Sequence, residues 1–433
     1  MENRLPLKKR YRVGLLGAGT VGGGLIRLLH EKLSHHQLPV EIKKVGVRNP
    51  SKTRSFNLPG ALLSDDLESI VEDKTIDILV EAMGGLEPAR TYIEKALLAG
   101  KHVVTANKYV VSEHGDYLQR LAESKGKQFL YEASVAGSIP VIEILREEVI
   151  PDRIHAIYAI LNATSNFILT RMTESGDDFH GALAKAQEMG FSEPDPSFDI
   201  SGKDAGQKLA ILVSILKHQP CHPDQLDTHG IDRLTPFDFQ FARERQWRIK
   251  PLAIYEEVGG KGFASVEPVL VLASSIFASI RNEYNALCFD CQNIGRQIFI
   301  GKGAGELPTA SALLSDLCKI MAKDAHEQLS YNPRLAAREG IQFCSSTENP
   351  RGYRFYINGS LSNNSVKRRR VREVVDQVSD VLQEPQTGQV SGAFFCAVTK
   401  KIPYSELYRI LNEILSFDAD AQISWLRILQ DLE

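Results

Sequence analysis

No cysteine occurs before residue 221, and the six present lie at 221, 288, 291, 318, 344 and 396. A chain without thiols in its first half has no disulfide framework there, and this usage fits a reducing cytoplasm. Cys288 and Cys291 form a lone Cys-x-x-Cys without a second pair of ligands for zinc, so they read as incidental thiols. Charge of one sign is also scarce. The 51 Lys and Arg against 54 Asp and Glu leave a net charge of -3. No global field favours nucleic acid or an anionic membrane. Long hydrophobic runs are missing as well. The longest apolar stretch, about 266–280, contains Glu267 and Pro268 and is too short to span a bilayer. Lys8-Lys9-Arg10 before the apolar run from Val13 mimics a signal peptide, but six glycines between residues 14 and 24 break that run. A strand entering a glycine turn explains it. What remains is an ordinary globular composition, 43% hydrophobic over 433 residues, with room for two or three domains.

Residues 10 to about 135 alternate strand and helix patterns: 12–16, 41–47, 76–82, 101–105 and 128–132 as strands, 21–33 and 88–99 as helices. Pro88 opens the second helix and Gly100 follows it, the usual asymmetry of helix ends. This rhythm predicts an α/β fold with a doubly wound Rossmann domain over 1–140, completed by about 301–330. Beyond Pro140 the pattern changes to helices at about 141–149, 167–174, 178–190 and 203–217 among strands at 153–160, 251–256, 262–271 and 284–290. We expect an α+β catalytic and dimerisation domain over 141–300, its sheet open on one face, in a homodimer or homotetramer. Residues 331–352 read as a linker. The tail, 353–433, reads strand at 353–357, helix at about 366–383, strand at 392–398, helix at 404–415 and strand at 423–429, with a further strand near 386–390, an incomplete ferredoxin-like pattern. Lys367-Arg368-Arg369-Arg370 is followed by Glu373 and Asp376 and reads as a solvated helix start.

The chemistry sits in a few motifs. Gly17-Ala-Gly19-Thr20-Val21-Gly22 follows a strand and opens a helix, the setting in which GxGxxG holds a pyrophosphate at a helix N-terminus. The second strand ends without a carboxylate for a ribose 2′-OH. Arg48, with Ser51 or Lys52, is suited to a 2′-phosphate, so NADP is expected at least as well as NAD. Thr105-Ala-Asn107-Lys108 ends another strand, where open α/β sheets bind ligands. Tyr131 to Pro140 ends a further strand with a carboxylate, Glu132, and turning backbone that can offer oxygens to a cation or can be an ordinary strand exit. Asn162-Ala-Thr-Ser-Asn166 can cap a helix or contact substrate. Glu193 to Leu212 crowds acids and a lysine into one segment, with Asp204 and Lys208 spaced i,i+4 on one helix face. Such a pair is either a surface ion pair or, if desolvated, a proton-transfer site.

Together the motifs resemble the homoserine dehydrogenase family. They are GAGTVG at 17–22, GGLEPA at 84–89, TANK at 105–108, YEASVAGSIP at 131–140, LNATSNFIL at 161–169, AQEMGFSEPDPSFDISGKDAGQKLAIL at 186–212 and GAGELPTASALLSDL at 303–317. The resemblance implies NAD(P)H-linked interconversion of L-aspartate 4-semialdehyde and L-homoserine, in threonine, methionine and isoleucine synthesis. It implies Lys108 and Lys208 as catalytic lysines, Asp204 binding the substrate hydroxyl or orienting a lysine, and Glu193 holding the substrate ammonium. It implies Asn107, Gly303 and Glu306 near the cofactor or substrate. It implies a sodium or potassium site at Glu132 and the carbonyls of Val135, Gly137 and Ile139. A small-molecule substrate is expected, with an amino-acid effector at an ACT-like C-terminal domain. Two departures stand out. Ala163 replaces the family's usual glycine, and 357–365 lacks the acidic-x-x-Gly turn of ACT sensors. Aspartate-semialdehyde dehydrogenase, the nearest rival, needs a nucleophilic cysteine, and no strand-end motif here carries one. A nucleotide sensor that keeps the fold alone would not need Lys108, Glu193, Asp204 and Lys208 together.

Overall fold

The computed structural model describes residues 10–36, 38–54, 56, 58, 62–148, 152–325, 341–361, 365–383 and 393–429. The first unit is a six-stranded parallel sheet. Its strands are β1 (Tyr11–Leu16), β2 (Val40–Gly46), β3 (Leu63–Ser64), β4 (Ile78–Glu81), β5 (His102–Thr105) and β6 (Phe129–Leu130), in the order β3-β2-β1-β4-β5-β6. Helices α1 (Thr20–His36), α2 (Leu67–Glu72), α3 (Ala89–Leu98) and α4 (Lys108–Ser124) connect them. β4 and β5 are buried along their whole length, as strands covered on both faces must be. This order reverses direction at β1 and β4, and the crevice between their carboxyl ends is where such sheets take ligands. β6 is shorter than the expected strand 128–132. Glu132 instead enters a 3₁₀ turn and turns its carboxylate onto the N–H groups of Ile142 and Glu143, at 2.8 and 2.9 Å.

A second, mixed sheet has eleven strands. The helices before and among them are α5 (Val141–Glu143), α6 (Ala163–Ser175), α7 (Phe179–Glu188), α8 (Ser197–Ile200), α9 (Lys203–Lys217), α10 (Pro236–Glu244) and α11 (Ile276–Ser279). Its first strands are β7 (Ile154–Ile160), β8 (Asp227–Thr228), β9 (Trp247–Val258), β10 (Lys261–Leu272), β11 (Tyr284–Cys291) and β12 (Gly295–Lys302). The helix expected over 141–149 is α-helical only at Val141–Glu143 and continues as a π-helix through Glu148. α12 (Glu306–Ala325) then returns to the first sheet, where Ala310, Leu313 and Leu317 share a core with Leu25, Ile26 and Leu29 of α1. The face of the second sheet turned away from α6 and α9 is not bare. α11 lays Phe277 there and Ile280 follows, so that Ile160, Leu252, Ile254 and Val269 are buried.

The C-terminal strands extend the same sheet. After β13 (Gln342–Cys344) come β14 (Arg354–Leu361), α13 (Ser365–Val378), β15 (Ser379–Gln383), β16 (Ala393–Thr399), α14 (Tyr404–Phe417) and β17 (Gln422–Leu429). The full path is β12-β11-β7-β9-β10-β17-β14-β16-β15, with β8 and β13 pairing β10. The tail is thus a β-α-β-β-α-β unit, joined to β10 through the parallel pair Val269–Val271 with Arg427–Leu429. Residues 379–383, read from sequence as the end of a helix, are strand because they pair with β16. The strand expected near 386–390 lies outside the described residues, as do residues 331–340 of the expected linker. β14 continues past its expected end at Ile357 through Asn358 to Leu361. Asn358 is buried and its amide is satisfied by Asp238 of α10.

Candidate active site

The first half of the site is the glycine turn after β1. Gly17 has φ +92°, and a Cβ there would meet the Ala82 carbonyl oxygen at 2.5 Å, so only glycine lets the turn pass this close to β4. A Cβ on Gly19 would meet nothing within 4 Å. The turn therefore opens onto free space at the N-terminus of α1, whose first N–H groups have no partner within the helix. Thr20 and Gly19 are exposed there, with Val21 half-buried and Gly22 buried. Arg48 follows β2, the neighbour of β1, and is exposed. The Arg54 guanidinium braces its loop by donating to the carbonyls of Asn49 and Lys52, both at 2.7 Å.

At the ends of β4 and β5 polar groups are locked together. The Glu81 carboxylate accepts from Thr105 Oγ1 at 2.5 Å and from the Met83 N–H at 2.7 Å. Burial pushes that carboxyl above the ordinary range. Asn107 caps α4 and donates to the Gly85 carbonyl at 2.7 Å, so its side chain fixes the Gly84–Gly85 turn. The cap sets the next residue, Lys108, at the first turn of α4.

Lys108 meets the second half of the site there. Its Nζ lies 3.1 Å from Asp204 Oδ1, and Lys208 Nζ lies 2.8 Å from Asp204 Oδ2. Both lysines reach one carboxylate, one on each oxygen. Lys208 also donates to the Leu161 carbonyl at 2.8 Å. Asp204 is 4% exposed, while the Lys108 and Lys208 side chains keep 27% and 14% exposure. Burial alone would raise the Asp204 carboxyl, but the charges of Lys208 and Lys108 outweigh it and hold it well below the usual carboxylate range. Burial likewise works to lower the Lys108 ammonium, and Asp204 reverses this, leaving it above its ordinary value. The pair is thus ionised and partly desolvated, not a solvated surface bridge.

Three groups the sequence did not assign complete the cluster. Asp199 of α8, raised by burial and by Asp204, shares the Asn162 amide with Asp204 at 2.7 and 2.8 Å. Tyr109 and Phe198 stack at 5.3 Å, and Lys108 Nζ lies 5.2 and 5.9 Å from their centroids. Asp199 stands inside the acid-rich segment and Tyr109 directly follows Lys108, which is the only signal the chain offers for either. Glu193 is exposed on the loop before α8, near enough for its charge to act on Tyr109. The turn at Asn162 is a helix cap, since Oδ1 accepts the Ser165 N–H at 2.7 Å. Thr164 and Ser165 then tie α6 to the carbonyls of Phe191 and Asp199.

Other residues singled out from sequence lie at the rim. Gly303 packs against both Gly137 and Asn285, bringing the 135–139 loop beside the turn before α12. Glu306 forms an ion pair with Arg27 of α1. The Glu132 carboxylate, committed to two N–H groups, also faces Lys319 at 3.6 Å. Val135, Gly137 and Ile139 are buried. Cys288 and Cys291 are free thiols in β11. No helix among the described residues is long and apolar enough to cross a membrane.

A parallel sheet with a glycine turn at its switch point, facing two lysines on a buried carboxylate, has the layout of a nicotinamide-dependent oxidoreductase. Known proteins make the class specific. Residues 17–132 match the family model described as homoserine dehydrogenase, NAD binding domain, and 140–318 match the one described as homoserine dehydrogenase. A homoserine dehydrogenase of Synechocystis sp. is 40% identical over 72% of this chain and 73% of its own length. The crystal structure of one from Thiobacillus denitrificans superposes with a TM-score of 0.84 at 32% identity, covering 97% of this chain and 98% of that one. A hyperthermophilic archaeal homoserine dehydrogenase in complex with NADPH gives 0.61 at 26% identity over 72% of this chain and 98% of its own. The chain belongs to the homoserine dehydrogenase family. Its reaction is the NAD(P)H-dependent interconversion of L-aspartate 4-semialdehyde and L-homoserine.

Proposed function

We propose that this reaction runs between α4 and α9, with the substrate's oxygen facing the Lys108 and Lys208 ammonium groups. The observation that carries this is the convergence of both nitrogens on the two oxygens of buried Asp204. An ammonium has three N–H donors. Lys208 uses two on Leu161 and Asp204, which leaves a third for the substrate. A bound nicotinamide supplies the hydride donor or acceptor. As hydride reaches the aldehyde carbon, negative charge grows on its oxygen. The two cations stabilise that charge and Lys208 gives the oxygen its proton, taking it back in the reverse direction. Asp204 orients both lysines, and Glu193, in solvent beside Tyr109, is free to hold the substrate's ammonium. Gly17, Gly19, Thr20, Val21 and Gly22 would hold the pyrophosphate, Arg48 a 2′-phosphate, with Asn107, Lys108 and Gly303 toward the nicotinamide. The open space over Gly19 suits that group. Glu306, paired with Arg27, would act only at the edge of this pocket.

The test is homoserine turnover with NADP. Lys208→Ala should lower kcat on the order of 10²-fold or more. A change confined to KM would make Lys208 a binding group instead.

A sodium or potassium ion would be held by Glu132 with the carbonyls of Val135, Gly137 and Ile139. In favour, Ala136 and Gly137 are both left-handed, at φ 57° and 58°, and curl this buried loop. A homodimer or homotetramer is supported by exposed Tyr284, Ile294 and Ile300 along the β11–β12 edge. The β-α-β-β-α-β tail has the layout of an ACT-like sensor for an amino-acid effector, and the free thiols suit the cytoplasm.

A further inference from the structure

Asn162 stands between β7 and α6 and is 5% exposed. The two ends of its side chain do different work. Oδ1 caps α6 by accepting the Ser165 N–H at 2.7 Å. A cap needs only that oxygen, which serine, threonine or aspartate supplies as well. Nδ2 donates in addition to Asp199 Oδ1 at 2.7 Å and to Asp204 Oδ2 at 2.8 Å. These two acids are like charges in a poorly hydrated place, which ordinarily drives one of them to take a proton. A neutral group with two donors in fixed geometry relieves that conflict. It does so without adding a cation that would draw Asp204 away from its lysines. The preceding residue acts on the same pair, because the Leu161 carbonyl accepts from Lys208. Two consecutive residues at the end of β7 therefore set both members of the Asp204–Lys208 pair.

We propose that Asn162 is a positioning residue for the reaction, its amide fixing Asp204 and Asp199 so that the Lys108 and Lys208 ammonium groups stay aligned on the reacting oxygen. This rests on the assignment of those lysines to the chemistry. The charged and titratable groups facing Asn162 and its partners are Lys108 and Tyr109 from α4, Glu193 from the preceding loop, Asp199 from α8, and Asp204 and Lys208 from α9. Asp204 must be unprotonated to hold both lysines, so adding a carboxylate at position 162 works against it.

Two substitutions keep the cap and remove the clamp. Asn162→Ser is neutral and lacks the amide. Asn162→Asp retains an acceptor for Ser165, offers no donor once ionised, and adds a charge. Loss of hydrogen bonds to charged groups predicts a fall in kcat of about 10- to 100-fold for Asn162→Ser, with the thermal midpoint close to that of the parent. For Asn162→Asp the acid limb of the kcat/KM profile should move to higher pH, since a further carboxylate disfavours ionisation of its neighbours. Parent-like kcat and pH profile in both variants would overturn the proposal and leave Asn162 a helix cap. A lowered thermal midpoint with parent kcat per folded enzyme would do the same. Lys208→Ala, run in parallel, separates the two levels. If it is inactive while both Asn162 variants behave as the parent, only the role of Asn162 fails. If Lys208→Ala itself keeps the parent rate, the lysine assignment fails first.

Discussion

Two clusters in this molecule are built from the same charges, and they end up as different devices. One gathers Asp199, Asp204, Lys108 and Lys208 where α4, α8 and α9 meet. The other gathers Glu256, Glu267, Arg351 and Arg427 where β9 and β10 meet the C-terminal unit. Each holds two acids and two bases. In the second, neutral hydroxyls take up the acids' remaining lone pairs. Tyr158 and Tyr353 donate to Glu256 at 2.8 and 2.6 Å, and Tyr404 and Ser265 donate to Glu267 at 2.7 and 2.9 Å. Arg427 is only 2% exposed and lies 4.7 and 5.7 Å from the rings of Tyr353 and Tyr404. In the first cluster no hydroxyl among the described residues closes the set, and both ammonium groups keep some exposure. Net charge does not tell a fastening from a reaction site. What tells them apart is the shared charge: Arg427, which serves both acids, is sealed, although Arg351 at the rim keeps 44% exposure, while both lysines that share Asp204 stay partly exposed and Lys208 keeps an unused N–H.

This contrast can be broken by substitution. Arg427→Met leaves two buried carboxylates facing each other without their shared cation. We expect a loss of about 3–5 kcal/mol in urea unfolding, with turnover of the folded fraction retained. Lys208→Ala should cost the 10²-fold in kcat given above per folded enzyme, with Lys108 left to hold Asp204. Were Arg427→Met to abolish turnover in folded protein, the two clusters would not be separable in this way.

A third buried acid sharpens the point, because its cation is shared. Asp316 accepts the Glu132 N–H at 2.9 Å, and Lys319, 3.4 Å away, also serves Glu132 and Glu143. Burial pushes the Asp316 carboxyl up to about 8 from its ordinary 3.8. Between those values the unfolded chain releases this proton and the folded chain keeps it. The folded state then binds more protons, so stability falls as pH rises through that interval. Asp316→Asn keeps an acceptor for Glu132 and cannot ionise, so thermal midpoints across the same interval should flatten. An unchanged slope would show that Asp316 is already charged. The smallest effect is expected at Arg48, in the open and exposed. Arg48→Ala should raise the NADP KM relative to the NAD KM by up to about tenfold, a loss of about 1.4 kcal/mol. An unaltered ratio removes the arginine from cofactor choice.

The sequence carried the parts of this picture that are local. The glycine turn and the Asp204–Lys208 spacing each depend on residues within one turn or one helix, where a repeat of two or 3.6 residues is readable. The arrival of Lys108 at Asp204 is not local, and only the resemblance pointed to it. Asp199 and the Asn162 amide were missed as partners because their hydrogen bonds join residues far apart in the chain. Edge and short elements escaped for another reason. β12 is mostly half-exposed and shows no clean alternation, and β3 has two residues. β15 is continuous with a good helix former and becomes strand only because β16 is there to pair with it.

The account stands on two ammonium groups sharing one substrate oxygen. A crystal structure with homoserine and NADP bound measures this directly. We predict Lys108 Nζ and Lys208 Nζ both within hydrogen-bonding distance of the homoserine hydroxyl, about 2.7–3.2 Å, with Asp204 still bridging them. A hydroxyl held by other groups, with either ammonium turned to bulk solvent, would contradict it.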